Sequence, residues 1–359
     1  MITLHIPIDE LYKIIMHDDV NHILDIIIKQ IHDEKLLIDL LYDLPCILEF
    51  IENQTEEMCL IAVRYAGYHM FELAIKYVKN QTEEICLEAV KQNGYALQYV
   101  KEQTEKICLE AVKQNGLALQ YVKEQTNEIC LEAIKQKCSA LRFVKEQTDE
   151  MCIEAVERDG YLLYDVKNQT EEICLRAVMN YGMALRFVEK QTREICLEAV
   201  KEDGYSVMYV KEQTDEICLE AIKQCGLAVK HILEQTEEIC LEAIKNYGYA
   251  IQFIKNQTEE MCLEAVKKNG RLLVFVKEQT IEICREAIKN DMKSWYFVQK
   301  EFRNSLIDYA KQYMAPICID EYLEHCKIYT LDDIIQLMSD EGESDINVFL
   351  KFFYIEIKK

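Results

Sequence analysis

Eleven cysteines occupy one recurring place in this chain: Cys59, Cys86, Cys108, Cys130, Cys152, Cys174, Cys196, Cys218, Cys240, Cys262 and Cys284. Thiols arranged in a series could hold metal or pair as disulfides, and the spacing argues against both. Zinc centres draw on paired C-x2-C thiols, which neither this column nor the remaining cysteines supply. Equivalent residues in stacked repeats lie about 8–10 Å apart, beyond the Cα separation a disulfide spans. A free Cys packs as a small hydrophobe. The column reads as core in a reducing compartment, with no metal expected.

Acid–base chemistry fares no better. Paired glutamates such as Glu83 and Glu84 recur through the chain, but a general acid needs a carboxyl raised by burial, and these fall at expected surface positions. The seven histidines (His5, His17, His22, His32, His69, His231 and His325) lack ligand spacing. His17 and His22 with Asp18, Asp19 and Asp25 form the one dense His/Asp group, which reads as a helix junction. Glycine-rich phosphate loops, G-x-S-x-G and H-E-x-x-H are all missing. No catalytic residue and no cofactor are expected. An enzyme with its site in a terminal cap is the least favoured reading.

The element that positions all these residues is a repeat. Residues 81–102 read QTEEICLEAVKQNGYALQYVKE, and Gln-Thr returns at 103, 125, 147, 169, 191, 213, 235, 257 and 279, always 22 residues on. A longer copy of 27 residues opens at Gln54. Counting the Gln as slot one, Thr in slot two suits a helix N-cap, and Glu83, Glu84 and Lys91 complement the helix dipole. Ile85, Cys86, Ala89 and Val90 have the spacing of a buried helical face. Gly94, in slot fourteen, suits the left-handed position just past a helix end. Tyr95 to Val100 then make a second short helix, with Ala96, Leu97 and Val100 inward. Tyr95 and Tyr99, four apart, are expected to share one face of it. Neither helix is stable alone, so each repeat must stack on its neighbours.

The expected fold is therefore an all-α solenoid of about eleven 22-residue helix-turn-helix repeats with degenerate helical caps. Slot nine is Ala in every copy, from Ala62 to Ala287, which implies close helix approach. The unvarying Gln is expected to satisfy backbone groups at the turn between repeats. Residues 1–53 read as an N-terminal helical cap with one degenerate repeat, 54–300 as the array, and 301–359 as a C-terminal degenerate repeat and capping segment. Within the caps, helices are expected at Ile8–Met16 and Val20–Ile31. Leu40 and Leu41 take the Ala-Val slots of the degenerate repeat, and Pro45 replaces its glycine. Ile307, Ala310 and Ile317 keep the phase beyond the array. Thr330 with Asp333 reads as a capping box, and the apolar tail VFLKFFYIEIKK as a closing segment. Trp295 falls in a core slot.

The pattern A-V-K-Q-N-G-x-A-L-x-Y-V, at Ala89–Val100 and Ala111–Val122, resembles a short helical repeat family of unknown function. That family is abundant in giant amoeba-infecting, mimivirus-like viruses and occurs in some bacteria. The resemblance covers about residues 54–300 and implies a helical repeat fold and a viral source. It brings no catalytic residue and no ligand.

A formal net charge of −23 repels phosphate backbones and anionic membrane surfaces, so nucleic acid is not an expected partner. No stretch reaches the length of a membrane span, and MITLHIPIDELYK lacks a secretory pattern. A cytoplasmic protein is expected (in host cytoplasm or virion if viral), not a secreted one. The N-x-T matches at Asn53, Asn80, Asn168 and Asn256 are only repeat boundaries.

These readings converge on a non-enzymatic scaffold that binds a viral or host protein along an extended solenoid face. The alternative is a self-associating structural or virion component. Slots that vary while their neighbours stay fixed mark the exposed positions. Slot eighteen is the clearest: Gln98, Gln120, Arg142, Tyr164, Arg186, Met208, Lys230, Gln252, Val274 and Tyr296. It is least uniform at Arg142, Tyr164, Arg186 and Met208, which are the candidate partner-binding residues.

Overall fold

The structure is a computed structural model, and it describes residues 25–313 apart from 27, 32 and 66–72. Several expected features lie outside those residues. They are the helix at Ile8–Met16, the His17/His22 group, most of the extra length in the copy opened by Gln54, and everything expected of Ile317, Thr330, Asp333 and the apolar tail. The helix expected over Val20–Ile31 is described from residue 25, with 25–26 and 28–29 helical.

Among the described residues the chain is an all-α solenoid without strands. It divides into two compact units, Met1–Ala177 and Val178–Lys359. In the first, α-helices at Glu34–Asp43, Glu56–Tyr65, Glu83–Gln92, Glu105–Gln114, Asn127–Gln136 and Asp149–Arg158 pack each on the next. Shorter helices at Pro45–Phe50, Ala74–Tyr77, Gly94–Tyr99, Gly116–Tyr121, Cys138–Phe143 and Gly160–Asp165 make a second layer. The second unit repeats the plan. Its α-helices run from Arg193–Glu202 to Lys300–Lys311, and its short helices from Gly182–Phe187 to Met292–Phe297. The core lies between the layers. Ile85, Cys86, Ala89 and Val90 meet Ala96, Leu97 and Val100, all buried. Trp295 is buried as expected.

Local chemistry sets the boundaries. Thr82 Oγ1 accepts from Ile85 N–H at 3.4 Å to start the helix Glu83–Gln92. Asn93 ends it in an extended conformation (φ −151, ψ 111), and its N–H donates to Ala89 O. The same Asn93 starts the next element, its Oδ1 accepting from Tyr95 N–H at 2.9 Å. One extended residue thus closes one helix and caps another. In the degenerate repeat Asp33 takes the Thr role, accepting from the N–H groups of Lys35 and Leu36.

Two expectations need correction here. First, the second helix of each repeat is a six-residue 3-10 helix, such as Gly94–Tyr99. Its i to i+3 bonds run from Ala96 N–H to Asn93 O (2.8 Å) through Val100 N–H to Leu97 O (3.1 Å). Second, Gly94 is not in the left-handed region. It is glycine because the next repeat crowds it: a Cβ there would stand 2.5 Å from Ala111 O. Slot-nine Ala therefore serves close approach twice, through its small side chain and through the carbonyl that meets the preceding glycine. The Gly94 N–H donates to Gln114 Oε1 at 2.7 Å, so a slot-twelve amide also bridges the layers.

The Gln column does what was expected of it. Gln81 Nε2 donates to Ile75 O (3.3 Å) in the preceding copy and Tyr99 O (3.0 Å) in its own, while its Oε1 accepts from Lys101 N–H at 2.9 Å.

Ser206 and Ser294 depart from the usual slot-sixteen residue. Both hydroxyls are fully buried and have no hydrogen-bond partner among the described residues. Ser206→Ala should raise stability by about 1 kcal/mol, since a buried unpaired hydroxyl costs about that much. Urea midpoints measure it, and an unchanged or lower midpoint would contradict the assignment.

Candidate interaction face

The outer face of each unit's second layer is made by slots fifteen and eighteen. A 3-10 helix has three residues per turn, so residues i and i+3 eclipse each other. Slots sixteen, seventeen and twenty turn inward, as at Ala96, Leu97 and Val100. Slot eighteen is exposed at every copy from Gln98 to Lys230 and half-buried at Gln252, Val274 and Tyr296. Tyr161 and Tyr164 stand on the face of one 3-10 helix at 51% and 70% exposure, the most open ring pair in this layer.

The expected stripe of slot-fifteen and slot-nineteen rings within one helix does not form, because four residues are not in register on a three-residue turn. The rings meet across repeats instead. Tyr95 lies edge-on to Tyr121 at 6.0 Å, Tyr205 to His231 at 5.9 Å, and Tyr249 to Phe275 at 6.3 Å.

Slot eighteen reaches toward slot nineteen of the following repeat. Arg186 lies over Phe187 at 5.0 Å and over Tyr209 at 5.7 Å, and Lys230 lies over Phe253 at 5.8 Å. Where the ring is replaced by Asp165, Arg142 Nη2 pairs with its carboxylate at 3.4 Å. Gln98 and Gln120 instead donate to the carbonyls of Tyr95 and Leu117. Of the four candidate residues, Arg142 and Tyr164 lie on neighbouring 3-10 helices of the first unit. Arg186 and Met208 lie on neighbouring 3-10 helices of the second. His231 is pushed below the ordinary imidazole range, first by burial and then by Lys230.

Some polar columns were not singled out from sequence. Lysines in slot twenty-one form a ladder: Lys123 Nζ donates to Lys101 O at 2.7 Å, and Lys145 Nζ to Lys123 O at 2.7 Å. Slot-twelve amides and slot-thirteen caps are two more. Their recurrence at the 22-residue period was the available signal, but recurrence alone does not tell a bond from a solvated charge.

The slot-six cysteines are all buried. Most also serve as weak donors, as from Cys108 Sγ to Gln103 Oε1 at 3.8 Å, whereas Cys218 and Cys240 show no such bond among the described residues. Burial pushes the thiols of Cys108, Cys130, Cys152, Cys218, Cys240 and Cys262 up to about 11. At pH 8 native protein should therefore react with a thiol reagent far more slowly than unfolded protein, and rapid native labelling of the column would contradict this. A raised folded pKa also means stability that is full below the unfolded value and lost as pH rises. Melting temperature should fall between about pH 9 and 11, an effect several thiols share. A flat profile there would show that the column is not desolvated. Among the described residues, no group of three or more His, Cys, Asp or Glu could hold a metal ion, and no helix is long and apolar enough to cross a membrane.

A family described as a domain of unknown function (DUF4116) matches residues 55–104, 82–126, 104–148, 170–214, 192–236 and 214–258. The placements step through the array in its own period, each spanning about two repeats, and together cover just over half of the chain. They stop short of the 54–300 covered by the sequence resemblance. No curated protein and no solved structure matches the chain.

Proposed function

We propose that this chain, which belongs to the DUF4116 family of unknown function, is a non-enzymatic scaffold that binds protein through the outer face of its 3-10 layer. One observation carries the reading. Slot eighteen is exposed over seven successive copies and changes from Gln to Arg, Tyr, Met and Lys, while slots sixteen and seventeen beneath it stay buried. A scaffold fixed beneath a variable surface is how repeat proteins tune recognition. Tyr and Arg, which dominate the energetics of interfaces, supply Arg142 and Tyr164 in the first unit and Arg186 in the second, where Met208 holds the same slot one repeat on. Giant amoeba-infecting viruses as a source, a viral or host protein as partner and a cytoplasmic location belong to the same proposal.

The test uses the full chain as bait in cell extract. A companion variant carries Arg142→Glu, Tyr164→Ala, Arg186→Glu and Met208→Ala, and must keep the wild-type melting temperature. The reading expects a protein captured by wild type and lost by the variant. Undiminished capture by the folded variant places the interface elsewhere, and capture of nothing overturns the scaffold.

A further inference from the structure

The charge on the 3-10 face runs against the charge of the chain. Net charge is −23, yet slots fifteen, eighteen and nineteen between residues 95 and 297 hold Arg142, Arg186, Lys230, Arg271 and Lys293 against the single carboxylate of Asp165. Arg142 pairs with Asp165 and Arg271 with Asp291. In the second unit Arg186 and Lys230 are exposed and rest on rings, with no carboxylate partner among the described residues. Met208, 43% exposed, stands in the same slot between them. Two cations on an aromatic shelf, one repeat to either side of an open thioether, make a pattern that a ligand can complete.

The spacing selects the ligand's backbone. Packed layers lie about 8–10 Å apart. One turn of a polyproline-II helix takes three residues of about 3.1 Å each, so one turn of peptide spans one layer. An extended strand puts alternate residues on one side and would turn its middle contact away from Met208. Polyproline-II segments also dock on aromatic-lined surfaces with little ordering cost.

We infer that Arg186, Met208 and Lys230 take an acidic polyproline-II segment of a partner protein. Carboxylates at peptide positions i and i+6 meet Arg186 and Lys230, and an apolar side chain at i+3 covers Met208. The inference rests on the scaffold reading and names the partner's chemistry. The acidic slots three, four and eight lie in the α-helical layer, and Glu189, Glu212 and Glu234 just past the three 3-10 helices are interleaved with Lys190 and Lys211. A Debye length of about 8 Å at physiological salt screens charges beyond it. Contact pairs on the shelf therefore outweigh the net charge. A nucleic-acid strand, with one phosphate per nucleotide, meets the same repulsion at higher charge density.

The probe is a fluorescein-labelled peptide, Glu-Pro-Pro-Leu-Pro-Pro-Glu, titrated into the full chain and followed by anisotropy. Binding should weaken about tenfold or more in Arg186→Glu/Lys230→Glu, and likewise when both Glu of the peptide become Gln. Arg186→Gln/Lys230→Gln gives the milder second variant, and circular dichroism checks the fold of both. No binding, equal binding of the Gln peptide, or equal binding by the folded variants overturns the inference. Binding of a single-stranded DNA 12-mer with the same dependence on the two cations assigns the shelf to nucleic acid and overturns it too. If a captured protein needs the four candidate residues but the acidic peptide does not bind, the scaffold reading stands and this one falls.

Discussion

Gly116→Ala should lower the stability of the first unit by about 3 kcal/mol, at the upper end of what overpacking costs. A Cβ at Gly116 would stand 2.3 Å from Ala133 O and 2.9 Å from Lys137 Cβ. The first contact is with backbone, which cannot rotate aside, so the repeats must separate. Separation would also stretch the bond from Gly116 N–H to Gln136 Oε1, now 2.6 Å. A second substitution isolates the cause. Asn enters the left-handed region more readily than other side chains, so Gly116→Asn would be mild if backbone conformation were the reason for glycine. Crowding makes it at least as costly as Ala. Urea midpoints of both variants decide the matter, and a loss below about 0.5 kcal/mol for Ala would show that the layers yield easily.

Gln103→Leu should cost about 2–3 kcal/mol, from the price of stranding part-buried polar groups. Gln103 Nε2 donates to Leu97 O at 3.2 Å and Tyr121 O at 3.0 Å, and its Oε1 accepts from Lys123 N–H at 3.0 Å. One amide thus ties the end of the preceding 3-10 helix to the end of its own. Leu matches the volume and loses all three bonds, together with the weak one from Cys108 Sγ. Gln103→Glu keeps the acceptor for Lys123 N–H and faces a carboxylate toward two carbonyl oxygens. It should be destabilising as well. A Glu variant as stable as wild type would mean that the donors at Nε2 contribute nothing, and that packing alone holds the slot.

Much of the architecture was legible before any coordinates. A 22-residue recurrence displays which slots tolerate change, so Thr82 as a cap, the Ile85–Val90 stripe as core and Gln81 as a backbone partner follow from residue type and phase. The cap is local, carried within one turn of the N–H it serves, whereas Gln81 reaches groups 6, 18 and 20 residues away and was readable because its slot never varies. What the sequence could not determine depends on how far apart the layers sit and how many residues make a turn. Six residues from Gly94 to Tyr99 are too few for hydrophobic spacing to separate a 3.0-residue turn from a 3.6-residue one. Only the folded helix shows that slot fifteen shares a face with slot eighteen and not with slot nineteen. Glycine was expected for its conformation and is required by Ala111 O, an atom seventeen residues further along. The rings of Tyr95 and Tyr121 meet across repeats for the same reason. Contacts between repeats are set by stacking distance, which the hydrophobic pattern of one repeat does not encode and which only the packed layers decide.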